Sequence, residues 1–133
     1  MPPRVGRVRA RSLLDIALEN AIEGCVRETY GAAVASWQAK QAGDPALRSL
    51  MRGIARDERR HAALSWRVGA WLERRLSDEE RARVFAARQG AIETLSSEAR
   101  GRWPGEVQLA AGLPSPEQAS RLLALLRESV WRA

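Results

Sequence analysis

His61, the only histidine of this 133-residue chain, lies three residues after Glu58 in the stretch IARDERRHAAL, residues 54–64. On an α-helix this Glu-x-x-His spacing is close to one turn, so the two side chains point in nearly the same direction. A carboxylate and an imidazole on one face are ligands that a divalent metal ion accepts. The same pair is also compatible with a helical core in which no metal is bound.

A helical wheel places Glu58 and His61 inside the apolar stripe of their helix. The residues of this stripe are Leu47, Leu50, Met51, Ile54, Ser65, Val68 and Leu72. An unpaired buried carboxylate is costly, so we expect Glu58 to bind a metal ion, to be protonated or to pair with a cation. Arg88 is a candidate cation because it lies on the apolar stripe of the third predicted helix. The wheel alone leaves both the metal and the ion pair open.

Start and stop signals predict four helices joined by short and long connections. Asp44 is the predicted N-cap of the second helix, and the sequences SDEE (77–80) and SPEQ (115–118) are capping boxes for the third and fourth. The expected helices cover about residues 12–41, 45–76, 78–99 and the chain from 116 onwards. The first two form an antiparallel hairpin, and a crossover at residues 100–114 precedes the short fourth helix. We therefore expect an all-α fold, a four-helix bundle of two antiparallel hairpins.

The hairpin indicates which acid of the first helix lies nearest to the Glu-x-x-His motif. If the turn is centred near residue 42 or 43, His61 is level with about residue 24. Glu23 is therefore the best candidate for a third ligand, and Glu19, one turn further away, is a second. Glu28 is level with Glu58 but lies on the far side of the wheel.

Residues 12–76 resemble the first half of the ferritin-like di-iron carboxylate proteins, and the rubrerythrins especially. The resemblance lies in Glu23, seven residues before Tyr30 in EGCVRETY, and in the Glu-x-x-His motif on an antiparallel second helix. It implies a ferritin-like bundle with Glu23, Glu58 and His61 as metal ligands. Family activities include iron storage, ferrous oxidation and peroxide reduction. Because two carboxylates and one histidine form an oxygen-rich ligand set, iron or manganese is favoured over zinc.

The second half of the chain departs from the family pattern because it has no histidine. Glu93 and Glu128 lie 70 residues after Glu23 and Glu58, but Trp131 takes the histidine position and its indole nitrogen has no free lone pair. The wheel also turns Glu93 and Glu128 towards solvent. Each chain therefore holds at most half of a di-iron site. The half-site would be completed either by water, as a mononuclear centre, or by the same residues of a two-fold-related chain, and the second alternative implies a homodimer.

Composition limits the remaining function classes. The net charge is +6, but 21 of the 22 basic residues are arginines interleaved with acids, a pattern typical of solvated helix faces, so nucleic-acid binding is not expected. The single Cys25 excludes an internal disulfide and is assigned to core packing. No apolar run reaches the roughly 20 residues of a membrane span, and we expect a cytoplasmic protein without membrane association. Residues 1–11 are predicted to be a disordered basic arm and residues 12–133 a single domain.

Three functional hypotheses follow from these patterns. The first is a ferritin-like domain that binds iron or manganese at a half-site of Glu23, Glu58 and His61. The second is a metal-free ferritin-like bundle that acts as a structural or protein-interaction module, in which Arg88 neutralises Glu58. The third is a basic helical module that binds nucleic acid or an acidic partner. The sequence assigns no catalytic residue and does not decide whether the chain is an enzyme.

Overall fold

The computed structural model describes residues 9–132, and its secondary structure is entirely helical over that range. The elements are α1 (Leu13–Glu19), a π-helical segment (Asn20–Glu28), α2 (Thr29–Gln41), α3 (Pro45–Glu73), α4 (Asp78–Glu98), α5 (Gly105–Ala111) and α6 (Pro116–Glu128). The first three follow one another without a break and form one long helix over residues 13–41, called the first helix below. The expectation of an all-α chain is confirmed. The predicted arm at residues 1–11 lies mostly outside the described residues.

The helices begin where the sequence signals predict. The side chain of Asp44 accepts a hydrogen bond at the start of α3. Ser77 and Ser115 begin α4 and α6, each in a reciprocal capping box with Glu80 or Gln118. These caps satisfy backbone N–H groups that have no partner inside the helix. Four of the observed helices therefore agree with the predicted ones to within a few residues.

Two elements are not predicted by the sequence patterns, the π-helical segment and α5. α5 lies within the crossover at residues 100–114 and rests against the turn between α2 and α3. The side-chain amide of Gln38 donates to the carbonyl of Ala111 at 3.0 Å. Gly112 follows with a positive φ of 65°, and a Cβ there would lie 2.3 Å from the backbone nitrogen of Ala42, so this position requires glycine.

The first helix is the central element, because it packs against α3 along its length and against α4 and α6 on other sides. Two clusters of buried side chains form the core. The first consists of Ala17, Ala21, Leu72, Leu76 and Val84, and the second of Val26, Ile92, Leu95, Leu123 and Trp131. The indole N–H of Trp131 donates to the carbonyl of Cys25 at 3.0 Å. This bond joins the end of the chain to the π-helical segment.

The first helix and α3 approach each other closely within the π-helical segment. A Cβ at Gly24 would lie 2.4 Å from Oγ and 2.6 Å from Cβ of Ser65, so a larger residue does not fit there. The side-chain amide of Asn20 donates to the carbonyl of Ser65 at 2.9 Å. One turn further along α3, Gly69 lies beside Asn20 and Cys25. The two helices therefore cross at a distance that small residues permit and bulky ones do not.

The face of α3 that packs on the core differs from the predicted one. The residues buried on α3 are Ala55, Ala62, Ser65, Gly69 and Leu72. Leu50 and Ile54, which the wheel placed in the core stripe, are 60% and 38% exposed. Ser65 and Leu72 belong to both rows, but the mean direction of the observed row is turned by roughly 50° around the helix from the predicted one. The close crossing is the physical reason, because it turns the small residues inward and the bulky row towards solvent.

This crossing makes opposite predictions for two glycines. Gly24→Ala should lower the free energy of unfolding by about 1–3 kcal/mol, because the new methyl group overpacks against Ser65. The matched control is Gly90→Ala on α4, where a Cβ meets no atom within 4 Å; it should raise stability by about 0.5–1 kcal/mol. Urea denaturation measures both values.

A second variant tests whether the clash with Ser65 causes the loss of stability in Gly24→Ala. Ser65→Gly removes both of the closest atoms, so adding it to Gly24→Ala should cost less than the sum of the two single changes. Equal stabilisation by Gly24→Ala and Gly90→Ala would contradict the close crossing.

Candidate functional site

The three predicted metal ligands do not share a buried site. Glu23 and His61 are exposed, and only Glu58 is half-buried. The Oε2 atom of Glu58 lies 3.9 Å from the position that a Cβ on Gly31 would take, so this carboxylate lies beside α2. The expectation that His61 faces the core is wrong, because the core-facing row of α3 is offset towards the small residues.

The other acids considered in the sequence have separate surroundings. Oε2 of Glu28 accepts a hydrogen bond from Oγ of Ser65 at 3.1 Å, so Glu28 faces α3 and does not lie on the far side of its helix. The π-helical segment explains the difference, because its i→i+5 bonding changes the angle between successive residues. Glu93 and Glu128 are exposed, as predicted. Glu19 is also largely exposed and pairs with an arginine near the start of α1.

Arg88 is buried on α4, as predicted, but the acid that it contacts is Glu73. Their Nη2 and Oε1 atoms are 3.0 Å apart, and the guanidinium carbon lies 5.1 Å from the centre of the Trp66 ring. The side chain of Glu73 remains 41% exposed while that of Arg88 is 7% exposed. Within residues 9–132, the ion pair predicted between Arg88 and Glu58 is replaced by this pair, about four turns further along α3.

These positions do not fit an intramolecular metal centre. In the part of the chain that the structure describes, no group of three or more His, Cys, Asp or Glu side chains is close enough to hold a metal ion. Glu58 supplies one half-buried carboxylate, while the side chains of Glu23 and His61 are directed to solvent. The half-site of these three residues therefore stays a prediction for a shared arrangement only.

Metal loading tests the half-site directly. From the exposure of Glu23 and His61 we expect that the protein, incubated anaerobically with Mn(II) or Fe(II) and desalted, retains no stoichiometric metal by mass spectrometry of the elements. Glu58→Ala should leave that value unchanged, as should the exposed control Glu79→Ala on α4. Uptake of about one ion per chain or per pair of chains that Glu58→Ala abolishes and Glu79→Ala preserves would contradict this expectation.

Cys25 belongs to the packing of the core, as the sequence predicts. It is fully buried, and this burial, which disfavours a thiolate, raises the pKa of its thiol to about 11. Burial also raises the pKa of the neighbouring Tyr30. Neither side chain is a nucleophile or a base near neutral pH.

An open groove between α2 and α3 is the surface with the most distinctive chemistry. It consists of two adjoining cavities of about 290 and 350 Å³ that share Ser36 and Arg59. The α2 wall comprises Thr29, Ala32, Ala33, Ser36, Ala39 and Lys40, and the α3 wall comprises Arg52, Ala55, Arg56, Arg59, Ala62, Ala63 and Trp66. The members of each wall are adjacent or recur after three or four residues, so each wall is one continuous helix face. We call this surface the α2–α3 groove.

The α2–α3 groove is basic at one end and apolar at the other. Lys40, Arg52, Arg56 and Arg59 line the basic end, and no acid is among the residues that line either cavity. Nη1 of Arg59 donates to Oγ of Ser36 at 3.1 Å. Lys40, Arg52 and Arg56 form no ion pair with any residue of 9–132. Four neighbouring cations, with no acid among the residues that line the groove, produce a local positive potential that attracts anions.

The groove is not predicted from the sequence, because the arginines interleaved with acids are assigned to solvated helix faces. The signal was present in the spacing, since Arg52, Arg56 and Arg59 follow one another at four and three residues. Alanines recur on the same side of α3 at Ala55 and Ala62. The pattern of small and basic residues on one face indicates an open groove with a cationic end.

Another cavity, of about 420 Å³, lies between the end of α2 and α5. Glutamine side chains, Trp37 and glycine-rich backbone line it, and none of its lining residues is titratable. It therefore offers neither acid–base chemistry nor a charged ligand site.

No family model, curated protein or solved structure matches this chain. Within residues 9–132, none of the helices combines the length and the apolar character that crossing a bilayer requires.

Proposed function

We propose that this chain is a helical interaction module whose α2–α3 groove binds an amphipathic helix carrying acidic residues. The observation that carries the proposal is the juxtaposition of four cations with an alanine-lined floor in one groove. The proposal combines two of the hypotheses from the sequence: the metal-free interaction module and the binding of an acidic partner. No catalytic step is part of the proposal.

The shape of the groove supports a helix as the occupant. Its α3 wall extends from Arg52 to Trp66, or roughly 21 Å at 1.5 Å per residue. A helix of about 14 residues has that length. Small residues form most of the floor, which permits a third helix axis to approach to the 8–10 Å of ordinary helix packing. The two walls, α2 and α3, already pack against each other as a hairpin, so binding requires little reorganisation of the module.

The charges of the groove support acidic residues at one end of that helix. Carboxylates placed beside Lys40, Arg52 and Arg56 would neutralise cations that form no ion pair within residues 9–132. Arginine side chains bind carboxylates through parallel hydrogen bonds, which gives orientation as well as affinity. The apolar half, with Trp66 and the half-exposed Val130, would hold the uncharged turns of the same helix.

A nucleic acid is a poorer fit than a protein helix. A phosphate backbone carries charge along its whole length and favours cations along the whole path. Here the cations occupy one end, and the other end is lined by alanines, Trp66 and Val130. The mixed character of the groove therefore favours an amphipathic protein segment.

The ferritin-like four-helix plan is proposed as the scaffold behind this groove. In support of it, two antiparallel helices are followed by a capped third helix, a long crossover and a short fourth helix. α6 has 13 residues and α3 has 29, so the fourth helix is too short to cover the full length of the hairpin. On this proposal the uncovered part of the hairpin is the partner's binding site.

A designed peptide pair tests the proposed function. The probe is a fluorescent 14-residue helix with alanine and leucine on one face and glutamates in the turns at one end, and its twin carries lysines in place of the glutamates. We expect saturable binding of the acidic peptide by fluorescence anisotropy, weakening with salt, and no binding of the basic twin. Equal binding of both peptides, or of neither, would overturn the proposal.

Variants locate the binding in the groove. Arg52→Glu/Arg56→Glu reverses two cations and should weaken the acidic peptide by at least about 10-fold. Ala63→Phe fills the apolar half and should weaken it to a similar extent. The matched controls are Arg83→Glu and Ala86→Phe, both exposed on α4, and they should leave the affinity unchanged. Tighter binding of a 20-base-pair DNA duplex than of the peptide would favour the nucleic-acid hypothesis instead.

A further inference from the structure

A second face of α3 carries a long row of mostly exposed side chains, of which Val68 also packs on the first core cluster and Trp71 contacts Arg75. The row comprises Leu47, Leu50, Ile54, Asp57, His61, Leu64, Val68 and Trp71, and we call it the α3 stripe. Its large apolar members are well exposed: Leu50 60%, Leu64 59% and Trp71 45%. Leu47 at one end of the row and Val68, the last member but one, are half-buried. A contiguous exposed apolar row of this kind marks an interaction surface.

The spacing of the α3 stripe is that of a coiled-coil seam. Successive members alternate between three and four residues apart from Leu47 to Trp71, which covers 24 residues or roughly 36 Å. The only polar members are Asp57 and His61, at the middle of the row. A seam with apolar ends and a charged centre has a defined register, because the polar layer must meet a complementary one.

We propose that a second copy of this chain packs its α3 stripe against the first in antiparallel orientation. Reversal of the stripe about the level of residue 59 matches every member with a complementary one. The resulting layers pair Leu47 with the partner's Trp71, Leu50 with the partner's Val68, Ile54 with the partner's Leu64 and Asp57 with the partner's His61. Each layer occurs twice, as two-fold symmetry requires.

The charged layers select the antiparallel arrangement. In a parallel pair Asp57 would lie opposite the partner's Asp57, which is unfavourable for two carboxylates in a seam. In the antiparallel pair each Asp57 meets the partner's His61, which offers a ring N–H to the carboxylate. Arg60 flanks this centre and already lies 3.9 Å from Asp57 of its own chain. Each chain therefore contributes one acid and two donor-bearing side chains to the two middle layers.

The α3 stripe and the α2–α3 groove lie on nearly opposite sides of α3. On a wheel the stripe and the groove wall of Arg52, Arg59 and Trp66 are separated by about half a turn. A dimer through the stripe therefore leaves both grooves open. The dimer does not rest on the proposed binding of an acidic helix, and either one can fail alone.

Solution mass tests the dimer. Sedimentation equilibrium of the full chain should give twice the chain mass at micromolar concentrations. Leu64→Glu places a carboxylate in two apolar layers per dimer and should weaken association roughly 100-fold or more, with an unchanged helical circular dichroism spectrum. The matched control Leu125→Glu, equally exposed at 61% but on α6, should remain dimeric. A monomer at all concentrations, or equal effects of both variants, would overturn the proposal.

Disulfide trapping tests the register. Chains carrying Ile54→Cys and chains carrying Leu64→Cys should form a covalent dimer under mild oxidation when mixed, and neither should do so alone. The native Cys25 does not interfere, because it is fully buried. Rapid trapping of either variant with itself would show a different arrangement, since residues 54 of two antiparallel chains are separated by roughly 15 Å along the axis.

Discussion

The contact on which this structure depends is the crossing of the first helix and α3 at Gly24 and Ser65. A Cβ on Gly24 would lie 2.4 Å from the serine oxygen, so the two backbones approach as closely as glycine permits. The side chain of Asn20 fixes the same point by donating to the Ser65 carbonyl at 2.9 Å. This distance decides which face of α3 can be turned inward. Only a row of small residues fits.

The rotation of α3 determines the rest of the surface. Because alanine, serine and glycine occupy the contact, the leucines and Trp71 of the neighbouring row remain in solvent, and an apolar stripe is left for a second copy. On the other side, alanines and arginines of α3 border an open groove with a positive end. The same constraint moves His61 out of the core and separates it from Glu23. The predicted half-site therefore depends on the same rotation as the two proposed interaction surfaces.

Local signals in the sequence predict the helices well, while the rotation of the helices requires the tertiary contact. Asp44, Ser77 and Ser115 cap the helices that they are predicted to cap, because capping depends on bonds within a few residues. The core row of α4, with Arg88 buried in it, also follows from apolar spacing. The core row of α3 does not, because a wheel gives most weight to bulky residues and the crossing selects small ones. The π-helical segment, which has no local signature here, shifts Glu28 towards Ser65.

Side-chain footprinting with hydroxyl radicals measures both proposed binding faces of α3, the stripe and the groove, in one experiment. As protein concentration increases, Leu64 and Trp71 should lose reactivity while Trp66 does not change. Addition of the acidic 14-residue peptide should then protect Trp66 without further protection of Trp71. If Trp66 and Trp71 change together, or if Leu64 reacts equally at all concentrations, the claim of two separate binding faces on α3 is contradicted.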